Sequence, residues 1–145
     1  MKEVLLMYAR YTKRANASVF ALLDGLSEEA MNEDRKSYYG SLASLAAHIV
    51  GATLYFQSMF RASCPAASDA LKATEGLKTP PDSHVTPDEW RRLKSIATAA
   101  DQATIDLVEA LGEEDLSCPV KLDWYDGKPD TVPLCFLAHQ LFTHG

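Results

Sequence analysis

Imidazoles and thiols are the side chains of this chain whose spacing could do chemistry. It holds four histidines, His48, His84, His139 and His144, and three cysteines, Cys64, Cys118 and Cys135. Neutral imidazole is the commonest metal ligand and titrates near neutral pH, so a histidine aimed into a core is a candidate for an ion or a proton. His48 stands three residues after Leu45 and four before Ala52, and His144 stands three after Leu141 and ten after Leu134. In helices these spacings turn both rings toward inward stripes. Their neighbours on those faces are Leu, Ala, Ile and Phe, which satisfy no ring nitrogen. The partner must then be the other histidine, a buried water, a hydroxyl such as Thr53 or Thr104, or a metal ion. Spacing alone leaves a satisfied core histidine and a metal ligand both open, because two histidines do not make a site. His139 and His144 are five residues apart, about 140° around a helix, and do not chelate one ion. His84 lies among prolines and reads as solvated.

The other reactive groups carry weaker signals. The cysteines are odd in number and form no C-x-x-C pair, which suggests neither a disulfide framework nor a thiolate zinc site. Cys135, two residues into a helix, reads as a partly buried and inert thiol. There is no G-x-S-x-G, no glycine-rich phosphate loop, no H-E-x-x-H and no carboxylate pair on an inward stripe. Tyr38, Tyr39, Trp90, Trp124 and Tyr125 read as packing residues.

Four helical segments must position these groups. A first helix is expected over 4–26, with the stripe Leu5, Tyr8, Thr12, Ala15, Val19, Leu22 and Leu26. Residues 27–40 are charged and aperiodic and read as a connection with one short helical turn. Ser41 caps a second helix over 42–62, with Leu42, Leu45, Ile49, Ala52, Phe56 and Met59 along its stripe. Pro65, Gly76, Pro80 and Pro81 mark 63–85 as a long loop of a length suited to a crossover. Thr86-Pro87-Asp88-Glu89 is a capping box that opens a third helix, and Gly112 is placed to end it in a left-handed cap. Alternation of Val120, Leu122 and Trp124 before Asp126-Gly127 predicts a two-stranded hairpin. Pro133 then opens a fourth helix along Leu134, Leu137, Leu141 and His144. Three turns of it would cover about half of its neighbours, so it is expected to continue past Gly145.

Composition narrows the function classes. The chain has 145 residues, 47% apolar and 23% charged, which fits one globular domain over 1–145. Fourteen Lys and Arg against 20 Asp and Glu give a net charge of −6, opposite in sign to a phosphate-gripping surface, so no nucleic-acid partner is expected. No apolar run reaches the roughly 18–20 residues of a membrane-spanning helix, and Met1-Lys2-Glu3 does not open like a signal peptide. A cytoplasmic protein without a membrane partner is expected.

Tyr11-Thr12-Lys13-Arg14-Ala15-Asn16 is similar to the Y-N-x-W-A-N of a known family, with Arg14 in place of the tryptophan. Tyr39-Gly40-Ser41-Leu42 followed by Leu45 and His48 is similar to its aromatic-x-S-I-x-x-T-L-x-H-I, and Leu137 to Gly145 is similar to the start of its last helix, H-x-x-x-H-H-R-G-Q. With the Asp126-Gly127-Lys128-Pro129 hairpin, these motifs span nearly the whole chain, which resembles the DinB/YfiT-like family of metal-binding four-helix bundles. The resemblance implies an all-α, up-down-down-up four-helix bundle with a small β-hairpin before helix 4. It implies that His48 and His144 are metal ligands, with a third histidine expected beyond Gly145, for a divalent ion such as Zn²⁺ or Ni²⁺. It further implies a homodimer, a small-molecule substrate, and S-transferase chemistry with a low-molecular-weight thiol cosubstrate, or a hydrolase. The alternative is a non-catalytic dimeric helical stress-response protein whose histidines are structural.

Overall fold

The computed structural model describes residues 1–80, 84–123 and 127–144, with His144 described through its backbone. Trp124, Tyr125, Asp126 and the ring of His144 lie outside the described residues. Six α-helices and one antiparallel hairpin are found among the described residues: α1 Lys2–Leu23, α2 Glu28–Asn32, α3 Leu42–Arg61, α4 Pro65–Ala70, α5 Pro87–Ala110, β1 Pro119–Asp123, β2 Pro129–Pro133 and α6 Leu134–His144. No helix among them is long and apolar enough to cross a membrane.

The helix starts follow from their caps. Ser41 is extended, and its Oγ accepts from the Ser44 N–H at 3.1 Å. Thr86 Oγ1 accepts from the Glu89 N–H at 3.3 Å while the Glu89 carboxylate accepts from the Thr86 N–H at 2.9 Å, so both halves of the expected capping box are formed. Ser27 caps α2 in the same way, its Oγ accepting from the Ala30 N–H at 3.2 Å. The hairpin pairs Pro119 with Pro133 through Asp123 with Pro129, and Gly127 has a φ of 73°; the expected Asp126-Gly127 turn lies partly outside the described residues.

Three expectations are corrected. The stretch 63–85 is not all loop: Pro65 starts α4 instead of breaking a helix, a 3₁₀ turn follows at Lys72–Thr74, and Ala67 and Leu71 are wholly buried. The third helix does not end in a left-handed glycine. Leu111 leaves α5 in extended backbone, and the Gly112 N–H donates to Asp115 Oδ2 at 2.8 Å. A Cβ at 112 would meet only the far end of the exposed Glu114 side chain, which is free to move aside. The third correction is rotational. The buried residues of α3 are Ala43, Ala46, Ala47, Val50, Phe56, Gln57 and Phe60: Phe56 of the expected stripe is among them, the rest lie about one residue around from it, and Leu45 is exposed. On α1 the buried residues are Leu5, Ala9 and Phe20, while Val19 and Leu22 face solvent; the helix ends at Leu23, short of the expected 26, and Leu26 beyond it is exposed. On α3 the small residues Ala43, Ala46 and Ala47 face the core, where alanines let backbones approach, whereas α1 buries Leu5 and Phe20 beside Ala9.

Packing among the described residues builds three apolar clusters: a small one of Met31, Ala43 and Val85, and two larger ones along the long helices. One joins Leu5, Phe56, Phe60, Leu107 and Leu111 to the hairpin and the start of α6 through Val120, Leu134 and Leu137. The other joins Phe20, Ala46, Val50, Leu93, Ile96 and Ala97. Between them runs a belt of polar residues: Thr12 and Asn16 on α1, Thr53 and Gln57 on α3, Asp101 and Thr104 on α5. Pairs along α1 and α5 descend on one helix as they ascend on the other, from Lys2 on the Leu111 carbonyl through Asn16 on Asp101 to Asp24 on Lys94.

Candidate functional site

A cavity of about 220 Å³ opens at the polar belt. Ala9, Thr12 and Asn16 of α1 form one wall, His48, Ile49, Ala52, Thr53 and Phe56 of α3 another, Asp101 and Thr104 of α5 the floor, and Leu141 and Phe142 of α6 one end. A largely apolar lining with a few convergent polar groups is the usual make-up of a small-molecule site. Ile49, Ala52 and Phe56 of the expected α3 stripe line this cavity, and Phe56 also packs in the core. A second cavity of about 480 Å³ lies toward the hairpin, between α3 and α6, and shares His48, Ala52 and Phe56 with the first.

His48 is half-buried, and one of its partners, Tyr39, was not among those expected. Its Nε2 lies 2.9 Å from the Tyr39 hydroxyl and the two rings stack with centroids 4.3 Å apart. Tyr39 is held by the turn before α3, where the Gly40 N–H donates to the Ser37 carbonyl and Gly40 adopts a φ of 74°. Nine residues separate the pair, so a non-helical approach was needed to bring them together.

Asp101 is the charged group at the floor of the cavity, and it is 8% exposed. Asn16 Nδ2 donates to both carboxylate oxygens, at 2.9 and 3.2 Å. Burial pushes the carboxyl up from its ordinary value near 3.8 to about 6, and the Asn16 hydrogen bonds and the Lys13 charge only partly offset this. Asp101 is not among the site residues expected from the sequence. The signal was present, because Asp101 follows Ala97 by four residues and precedes Thr104 by three on the stripe of α5. Gln57, wholly buried beside it, is fully engaged: its Nε2 donates to the Ala100 carbonyl and to Thr104 Oγ1, and its Oε1 accepts from Thr74 Oγ1. It serves packing.

The remaining sequence candidates separate. His84 is exposed, with Nε2 2.9 Å from Glu28 Oε1. His139 is exposed and meets Tyr8 edge-on. Whether His144 converges with His48 lies outside the described residues. Tyr38 is 95% exposed and does not pack as expected, whereas Trp90 stacks on Phe20 and donates from Nε1 to Asp24. The cysteines, in contrast, do assemble: single ligand atoms of Cys64, Asp115 and Cys118 all lie within 4.8 Å of one another, the one such group of three among the described residues. Fifty-odd residues separate the two thiols in sequence, so no local motif could announce them. Comparison with protein-family models, with curated proteins and with solved structures finds no match for this chain.

Proposed function

We propose that the chain is a divalent-metal-dependent enzyme of the DinB/YfiT-like type, acting on a small molecule in the cavity beside His48. The observation that carries this is the cavity itself, an apolar pocket whose polar lining includes an imidazole and a buried carboxyl that titrates near neutrality. His48, with His144 and a third histidine expected beyond Gly145, would hold Zn²⁺ or Ni²⁺. The Tyr39 hydroxyl on one ring nitrogen of His48 suits that role, since ligand histidines are commonly oriented by a hydrogen bond to the other nitrogen. When bound, such an ion supplies Lewis acidity that favours the anion of a thiol or water at neutral pH. The chain's own residues do the rest. Ile49, Ala52, Phe56 and Phe142 exclude water from the pocket. Asp101, held by Asn16, exchanges a proton near pH 6 with a substrate group. S-transfer with a low-molecular-weight thiol and hydrolysis are the two reactions that fit this arrangement.

The packing order supports an up-down-down-up four-helix bundle of α1, α3, α5 and α6. The contacts of α1 on α5 run in opposite chain directions, whereas those of α3 on α5 rise together, from Val50 with Ile96 to Gln57 with Ala100 and Thr104. Two consecutive long helices in one direction need the crossover that 63–85 provides.

The second reading is a non-catalytic homodimer with structural histidines. It is favoured by the exposed apolar strip of α1, where Val4, Met7, Tyr11, Val19 and Leu22 are each at least half exposed. Elemental analysis of the purified protein decides between the two. In the enzyme reading His48→Ala removes one equivalent of metal and His84→Ala removes none. An unchanged metal content in His48→Ala refutes it and leaves the structural histidine.

A further inference from the structure

We infer that Cys64, Asp115 and Cys118 form a second metal site, one that takes a thiophilic divalent cation of the zinc class. This inference is independent of the reading of His48: the cluster shares no residue with either cavity at that histidine and lies where α3 and α5 end.

Donor geometry is the first argument. Zn–S bonds near 2.3 Å and Zn–O bonds near 2.0–2.2 Å at tetrahedral angles place ligand atoms about 3.6–3.8 Å apart. The three ligand atoms already lie within 4.8 Å of one another, so closure on an ion needs movements of about 1 Å or less. Two thiolates and one carboxylate leave the fourth position open. That position belongs to water or an exogenous ligand.

The framework around the cluster is the second argument. Cys64 directly follows the last turn of α3 and is buried at the edge of the larger apolar cluster. Asp115 opens a 3₁₀ turn and is held by the Gly112 N–H at 2.8 Å, the hydrogen bond to a ligating carboxylate that orients metal sites. Cys118 is fixed at both backbone ends, its N–H donating to the Asp115 carbonyl and its carbonyl accepting from the Leu134 N–H. Cys64 is tied as well, its carbonyl accepting from the Ser68 N–H, so all three donors are mounted on tied backbone.

Binding balances at the thiols: two S–H bonds break, two metal–sulfur bonds form, and two protons leave to solvent for each ion bound.

The test uses the full chain, freed of metal with a chelator under reducing conditions and titrated with Co²⁺ as the probe, then with Zn²⁺. One equivalent of Co²⁺ should produce a thiolate-to-cobalt charge-transfer band, which Zn²⁺ bleaches. Cys118→Ser should abolish the band, and Asp115→Asn should weaken Co²⁺ binding at least about tenfold, whereas His48→Ala should leave the band in place. Should a cysteine variant fail to fold, the wild type suffices: Zn²⁺ should protect Cys64 and Cys118 from alkylation, read by mass spectrometry, and leave Cys135 unprotected. A reduced wild-type chain that gives no charge-transfer band, or no Zn²⁺ protection of the two thiols, overturns the site. Loss of the band in His48→Ala overturns its independence from the first site.

Discussion

Replacing Asp101 with asparagine should stabilise the protein, and by more as the pH rises. The folded state holds the Asp101 proton more tightly than the unfolded chain, with a carboxyl near 6 against an ordinary 3.8. Stability contributed by that proton is present below pH 4 and is lost as the pH climbs through 6, because the buried carboxylate must then be tolerated. Two units at 1.36 kcal/mol each give about 3 kcal/mol at pH 8, and the same linkage leaves about 1 kcal/mol at pH 4.5. Asparagine keeps an oxygen that accepts from Asn16 Nδ2 and carries no charge, so it removes this cost while preserving the contact. The stability difference between Asp101→Asn and wild type should therefore grow by about 2 kcal/mol from pH 4.5 to 8, or roughly 4–8 °C in melting temperature for a chain of this size. Urea denaturation of both proteins across that range measures it, and comparison with wild type cancels the other titrating groups. A difference that does not change with pH, or one that shrinks toward pH 8, would refute the buried-carboxylate account. It would also remove Asp101 as a proton-exchanging group in the cavity.

Two further outcomes follow from packing and capping. Gln57→Ala empties a wholly buried site and leaves the Thr74 hydroxyl without one of its partners, so urea denaturation should show a loss of about 2–5 kcal/mol with an unchanged m value. Thr86→Ala removes the side chain that accepts from the Glu89 N–H at the start of α5, and should cost about 1 kcal/mol, read as a fall of roughly 2–4 °C in a thermal melt.

Local chemistry was enough to set the element starts. Ser41, Thr86, Pro87 and Glu89 act through neighbours within a turn, so the caps they form are written in four consecutive residues. The hairpin and the helical character of the four long or apolar segments were legible for the same reason. Tertiary packing decided the rest. On α3 only tertiary packing determined that Ala46, Ala47 and Val50 are core while Ile49 and Ala52 line a cavity, with Phe56 serving both. Asp101 was visible as an acid on a stripe, but its burial and its hold on Asn16 depend on two helices 85 residues apart meeting in one register. The cysteine cluster had no sequence signal at all, because Cys64 meets Asp115 and Cys118 only once the end of α3 packs against the turn that follows α5. Periodicity records which residues share a face. Which face meets which neighbour is a property of the packed whole, since it is chosen by the burial that all the helices achieve together.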